Sequence, residues 1–327
     1  MNCFNIKLLI ISCFLEGLLS PIYILGQNDS LKIRDYKNKF VLYSDLGFNT
    51  APFSIKLINP KGVDVDLRYR NNLNAFYGVG CNYKWFSLRL NALFPETKGS
   101  ISKYGLTKYY HLGFDFTYKK FFTDIDLFKY KGFAIVNPKE YAIVKDDNNY
   151  IMSLLRTNNF SINTWYFHNK YFSMAALRGR SASINSLIWT WYLKGTFNLF
   201  NVSNLPSILP SSILNNNISI SEADRIHGLD FGIVPGVAFV NRYKNWQYSL
   251  LGGLGGVIQE KGYKSLKNSR NFIGIAPRYD IRLMGGYNVE KWFVMTYIDI
   301  DNKSIIFNNL EYNQTYLTFK TLVGYRF

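Results

Sequence analysis

Along most of the chain apolar and polar residues alternate with a period of two, the spacing of a β-strand whose two faces meet different surroundings. From Val63 to Arg70 the order VDVDLRYR sets Val63, Val65, Leu67 and Tyr69 on one face and Asp64, Asp66, Arg68 and Arg70 on the other. Phe86, Leu88, Leu90, Ala92 and Phe94 make an apolar face against Arg89 and Asn91. Leu112, Phe114, Phe116 and Tyr118 do the same against His111, Asp115 and Thr117. Leu187, Trp189, Trp191, Leu193, Phe197 and Leu199 alternate with Thr190, Tyr192, Lys194, Thr196 and Asn198. The three-to-four spacing of amphipathic helices is nearly absent, so the pattern predicts an all-β fold.

The connections between these strands are of two kinds. Short polar turns flanked by aromatics recur at Tyr83-Lys84-Trp85-Phe86, Tyr118-Lys119-Lys120-Phe121, His168-Asn169-Lys170-Tyr171 and Val289-Glu290-Lys291-Trp292. Rings at headgroup depth with a charged tip in water suit a membrane boundary. Longer polar segments fall near Pro95 to Gly105, Val136 to Met152, Asn201 to Asp224, Gln259 to Asn271 and Asp301 to Asn309. Short turns on one side and long loops on the other predict an antiparallel transmembrane β-barrel of about 12 strands, roughly 10 to 14 being permitted. The alternation of sides fails once, around Asn201 to Asp224, where a strand is missed or spurious; Ile213 to Ile220 is the candidate.

The two ends of the chain add to this picture. Lys7 precedes an apolar stretch from Leu8 to Leu19, broken by Ser12, Cys13, Glu16 and Gly17, with Gly26, Gln27 and Asn28 after it. A charged start, a short apolar centre and a small-residue exit form a secretory signal, too short to span as a helix. Residues 1–26 are therefore expected to be a signal peptide and 27–327 an outer-membrane β-barrel domain. A rival reading takes Ile10, Ile11, Ser12 and Cys13 as a lipoprotein box with Cys13 lipidated. At the other end Leu317, Phe319, Thr321, Val323, Tyr325 and the terminal Phe327 share one strand face, opposite Thr318, Lys320, Leu322, Gly324 and Arg326. A last strand ending in Phe, with an aromatic two residues earlier, resembles the signal read by the outer-membrane insertion machinery, so Tyr325 and Phe327 are the candidate membrane-insertion signal.

Composition changes the picture modestly. Aromatic residues make up 17% of the chain, with 25 Tyr and 26 Phe, which suits strands whose rings lie at membrane interfaces. Of Cys3, Cys13 and Cys81 only Cys81 outlasts cleavage, so neither an internal disulfide nor a cysteine zinc cluster is expected. The net charge of +16 survives cleavage, since Lys7 and Glu16 cancel. In an exported chain that excess fits lipid phosphate and lipopolysaccharide rather than nucleic acid, or serves only to keep loops soluble.

The segment Lys103 to Phe133, KYGLTKYYHLGFDFTYKKFFTDIDLFKYKGF, resembles the central signature of an uncharacterised group of Bacteroidetes proteins, domain of unknown function 4421. NYKWFSLRLNALFP upstream and FSINTWYFHNKYFSMAALR downstream are similar to the flanking hairpins of that group. The resemblance implies an exported barrel and supplies no activity and no functional residues.

The turn at Lys119 and Lys120 permits a register argument. A two-residue turn pairs Tyr118 with Phe121, which sets Asp115 opposite Asp124 and Gly113 opposite Asp126. With His111 nearby, three carboxylates then share a small volume, and like charges so placed need cations between them. The candidate lumenal charge cluster is His111, Asp115, Asp124, Asp126, Arg278, Asp280 and Arg282. Pairing with arginine from Arg278, Arg282, Arg68 or Arg89 is the preferred explanation. A bound divalent cation such as calcium, or a water-filled path for ions and small solutes with Asp299 and Lys320 on it, are the alternatives.

Catalytic equipment is sparse. His111, His168 and His227 are read as ordinary polar residues, although His227 with Ser219 or Ser221 is the arrangement a serine lipid hydrolase would need. Gly252, Gly253, Gly255 and Gly256 lack the helix and Lys-Ser/Thr of a phosphate loop and are read as strand glycines. No catalytic residue, cofactor or metal is expected. Lys261, Lys264, Lys267 and Arg270, and separately Arg178 and Arg180, form basic loops open to lipopolysaccharide phosphates. The resulting expectation is an outer-membrane barrel that is structural or passes small solutes. A lipid-modifying enzyme and a soluble periplasmic β-protein that binds an apolar ligand are the alternatives.

Overall fold

The computed structural model describes residues 33–36, 38–58, 64–72, 75–118, 120–144, 148–214, 219–266 and 268–327. The expected signal peptide over residues 1–26, with Cys3, Lys7 and Cys13, lies outside the described residues, as do Val63, Lys119 and Lys267. In chain order the elements begin with β1 (Ile33–Asp35), β2 (Val41–Thr50), β3 (Phe53–Leu57), β4 (Val65–Arg70), β5 (Ala75–Tyr83), β6 (Phe86–Leu93), α1 (Lys98–Tyr104), β7 (Lys108–Tyr118), β8 (Phe121–Ile135) and β9 (Tyr150–Phe167). They continue with α2 (Met174–Arg178), β10 (Ala182–Ile184), β11 (Ile188–Ser203), β12 (Arg225–Tyr243), β13 (Trp246–Lys264), β14 (Ser269–Asn288), β15 (Trp292–Ile306) and β16 (Leu310–Arg326).

The sheet closes on itself, because β16 pairs antiparallel with β15 on one side and with β2 and β3 on the other. β2 and β3 keep one register along β16 and act as a single long strand interrupted at Ala51 and Pro52. β4 and β5 form a second, β4 pairing with β3 and β5 with β2. With β1 and β10 paired only to each other, the ring has twelve antiparallel strands among the described residues. The all-β antiparallel barrel expected from the alternation is therefore the fold observed.

One irregularity shapes the wall. β7 pairs with β8 up to Lys108↔Lys131, after which β8 shifts register between Lys131 and Phe133 and picks up β4 at Tyr69↔Ile135. Gly132 stands at the shift with φ +95°, and a β-carbon there would collide with the Leu106 carbonyl. Only glycine takes that conformation without strain, and Thr107 Oγ1 then donates to its carbonyl at 3.0 Å. The wall above the β6–β7 hairpin is thus closed by β4 against β8.

Strand alternation assigns the two faces. Leu46, Val79, Phe231, Ile233, Leu254 and Val323 point outward, each with more than half its surface open. At the end where β5 turns into β6 and β12 into β13, Phe40, Trp85, Tyr118, Tyr243, Trp246 and Phe327 form an exposed aromatic ring. Inward-facing residues build two apolar clusters. One, toward the loop end, includes Phe53, Ile55, Leu67, Tyr69 and Tyr312 with Ile208, Leu209 and Ile220 of the β11–β12 connection. The other, toward the turn end, gathers Trp165, Phe167, Tyr192, Met284 and Phe293 around Met174, Ala176 and Leu177 of α2.

Three expectations are corrected here. The His168 to Tyr171 turn does not lead straight into another strand; residues 168–187 carry α2 and β10 and fold against the inner wall. That connection restores the alternation of sides; of Ile213 to Ile220, Ile213 and Ile220 lie in short 3₁₀ turns, Ser211–Ile213 and Ser219–Glu222, and residues 215–218 lie outside the described residues. The long loops expected at Gln259 to Asn271 and Asp301 to Asn309 shrink to 265–268 and 307–309, since β13, β14 and β15 run on beyond the alternating stretch.

Candidate functional site

The inner face between the two apolar clusters is a belt of charge. Asp115 lies opposite Asp124 and Gly113 opposite Asp126, since β7 and β8 are joined by a tight turn with Tyr118 facing Phe121. The carboxylates do not meet one another uncompensated. His111 Nε2 lies 2.6 Å from Asp126 Oδ1, with Arg89 Nη2 3.7 Å from the same oxygen. Asp115 Oδ2 accepts from Arg178 at 2.8 Å and Arg180 at 3.0 Å, and Asp124 Oδ2 from Arg178 at 3.0 Å. Arg282 stands 3.6 Å from Asp124 and 3.5 Å from Asp280, whose other oxygen takes Lys194 Nζ at 3.1 Å. Arg278 is held by the fully buried Asp230.

Arginine planes and rings reinforce the belt. The Arg282 guanidinium lies 4.7 Å above the Trp165 ring, and Lys194 Nζ lies 5.0 Å from the same ring. An aromatic face attracts a desolvated cation, so Trp165 partly replaces the water these side chains lose. Between the charges a cavity of about 100 Å³ remains, lined among others by Asn49, Arg89, His111, Asp126, Asp299 and Lys320.

Residues 168–187 close this chamber on the turn side. Ser173 caps α2 by accepting from Ala176 N at 3.1 Å, and Gly179 ends it with φ +66°. So short a helix leaves its last carbonyls free, and wall side chains supply the donors. Gln247 Nε2 donates to Ala176 O at 2.5 Å, Ser249 Oγ to Leu177 O at 3.1 Å, and Asn288 Nδ2 to Gly179 O at 3.1 Å. Tyr297 Oη donates to Arg178 O. Arg326 reaches Gly179 O and Arg180 O, each at 2.7 Å. On the loop side the Phe53–Tyr312 cluster, with Leu209 and Ile220 folded onto it, forms a second closure.

The seven residues expected in the lumenal cluster all face this interior, and four of their partners, Arg178, Arg180, Lys194 and Asp230, are not the ones the sequence suggests. Arg178 and Arg180, expected on an outward basic loop, point inward onto Asp115 and Asp124. Arg68, expected as a lumenal partner, points outward and pairs with Glu140 at 2.7 Å. In the sequence Lys194 shows only as the polar side of a strand, and its alternation with the inward Thr196 and Asn198 is the signal that places it in the lumen. Among the described residues no group of three or more His, Cys, Asp or Glu converges as a metal-ligand set. His168 stacks on Trp191 at 4.6 Å between ring centroids, and a β-carbon at Gly262 would lie 2.6 Å from the His227 ring.

Several solved structures resemble this chain in overall form. The outer membrane protease OmpT from Escherichia coli is 9% identical with a TM-score of 0.40, covering 90% of this chain and 98% of that one. The translocator domain of the autotransporter NalP from Neisseria meningitidis is 10% identical with a TM-score of 0.42, covering 99% and 95%. An outer membrane channel from Pseudomonas putida F1 is 8% identical with a TM-score of 0.35, covering 92% and 100%. No curated protein matches the chain. The family described as "Domain of unknown function (DUF4421)" matches residues 27–327, and the chain belongs to it.

Proposed function

We propose that this protein is an outer-membrane barrel, closed at rest, which passes small solutes when residues 173–184 and the loop-side closure at Leu209 and Ile220 leave the lumen. The observation that carries the membrane reading is the outward apolar face, which no other described element covers. In water such a surface would drive association, whereas lipid accepts it. A soluble carrier of apolar ligands would need an apolar lumen, and the belt at mid-height is charged. On this reading residues 1–26 direct export, Tyr325 and Phe327 engage the insertion machinery, and lipid and lipopolysaccharide surround the wall.

The gate reading rests on how the plug is held. It is one connection between neighbouring strands, tethered at both ends and fixed by hydrogen bonds and two arginines rather than by a covalent link. A purely structural role is the second reading, favoured by the pairing of the belt charges. Planar-bilayer recording separates the two. Unaltered protein is expected to be silent, and protein with residues 173–184 and the loop-side residues 206–222 each replaced by a short Gly-Ser linker is expected to give step conductance. Steady openings from the unaltered protein would overturn closure at rest, and silence from the plugless protein would select the structural role.

A further inference from the structure

The barrel wall is unfinished along one seam. β13 and β14 pair over their whole length, from Trp246↔Tyr287 to Lys264↔Ser269. β14 pairs with β15 only from Asn288↔Phe293 to Asp280↔Asp301. Beyond Asp280, residues Ser269 to Tyr279 of β14 have no strand on the β15 side among the described residues, although β15 continues along β16 to Ile306. Tyr279 N donates to the Asn302 side chain at 2.9 Å instead, and Pro277 has no N–H to give to a ladder.

The β15 edge is satisfied from further away. Gln259 Nε2, on β13, donates to Ser304 O at 2.9 Å, and Lys261 Nζ donates to Ile306 O. Two side chains of the strand behind β14 thus bridge to carbonyls of the next strand but one and cap the β15 edge where β14 is not paired with it. An open strand edge is unfavourable at membrane depth unless a side chain or a ligand covers it.

Behind the seam lies a cavity of about 460 Å³, lined by Tyr263, Phe272, Ile306 and Phe307 with the cations Lys261 and Arg270, and with no acidic side chain among the described residues. Its volume falls within the roughly 300–1,000 Å³ of small-molecule sites. Outside the seam, Ile273 and Ile275 are 82% and 85% exposed, so its mouth opens on an apolar surface. Apolar access, an aromatic lining and two cations on the described lining together describe one kind of occupant.

We propose that the seam is a lateral entrance from the outer leaflet and that the pocket binds a single-chain anionic amphiphile of the long-chain carboxylate class. The alkyl chain lies against Tyr263, Phe272 and Phe307, and the carboxylate meets Lys261 and Arg270. Lys261 has three N–H donors and spends one on Ile306, which leaves two for the ligand. The cavity volume admits one chain rather than the several of a lipopolysaccharide anchor. This inference rests on the membrane reading above.

The test uses the whole protein in nanodiscs and a fluorescent anthroyloxy-hexadecanoate as the probe. Unlabelled hexadecanoate is expected to displace the probe, and hexadecanol to do so about tenfold less well, because it lacks the charge. Arg270→Gln leaves the Lys261–Ile306 contact intact and is expected to weaken binding about tenfold, and Lys261→Met/Arg270→Met more. Undiminished binding in both variants, or displacement by lipopolysaccharide at lower concentration than by hexadecanoate, would overturn the proposal. Each sample is also run on a gel with and without boiling. A heat-shifted band without probe binding overturns this inference alone, and a missing shift in the unaltered protein overturns the membrane reading with it.

Discussion

Replacing Asp280 by Ala tests whether the charge belt holds the wall together. Asp280 accepts from Lys194 at 3.1 Å and faces Arg282 at 3.5 Å, with the three side chains 3%, 6% and 13% exposed respectively. After the substitution Arg282 keeps Asp124 at 3.6 Å and Asp299 at 3.8 Å. Lys194 loses its carboxylate and stays buried against Trp165. Breaking one side of a buried pair costs about 3–5 kcal/mol. The retained partners of Arg282 place this case near the lower end, about 3 kcal/mol. The double variant Lys194→Met/Asp280→Leu removes both charges at similar volume and is expected to lie within about 1 kcal/mol of the parent. Urea unfolding from lipid vesicles, followed by tryptophan fluorescence, measures both. A single variant that loses less than about 1 kcal/mol, or a double variant no better than the single, would show that the Lys194–Asp280 pair does not hold the belt.

Other consequences follow from the wall itself. Ile233→Arg puts a charge on the outward face and is expected to cost about 2–4 kcal/mol if that site lies at the bilayer midplane, read as a lower urea midpoint. Gly255→Val places a β-carbon 2.7 Å from Val234 Cα on the neighbouring strand, and the forced separation is expected to cost about 1–3 kcal/mol in the same assay. Deleting Phe327 should leave the inner charge belt untouched yet lower the amount of protein recovered with outer membranes, which cell fractionation measures.

Much of the wall is legible in the sequence because each strand meets two unlike environments. The outward Leu187, Trp189, Trp191 and Leu193, and the inward Thr190 and Lys194, need only the two-residue period to be assigned. The period does not by itself assign the faces where the environments change. At β4 it holds, but Val65, Leu67 and Tyr69 point into the capped mouth, and Asp66, Arg68 and Arg70 point outward. Alternation reveals two faces without saying which one is wet, and there the apolar loop core reverses the sense. The upper parts of β13 and β14 carry polar residues such as Glu260, Asn271 and Ser269 within paired backbone, so they read as loop.

The site is less legible than the wall. The register that brings Asp115 to Asp124 follows from one tight turn, a local property. Their partners Arg178 and Arg180 come from a connection whose helix is five residues long, too short to show a helical period. Its inward course depends on donors from Gln247, Asn288 and Arg326, remote in sequence and brought together only when the ring closes.

On the proposed reading, paired strands present an apolar face to lipid and close into a ring, and gel mobility of detergent-extracted protein, with and without boiling, distinguishes this from a soluble sheet. A closed barrel is expected to run as a compact species unheated and to shift to its full chain mass after boiling. One band at the same position under both conditions, with the protein soluble in the absence of detergent, would contradict the account.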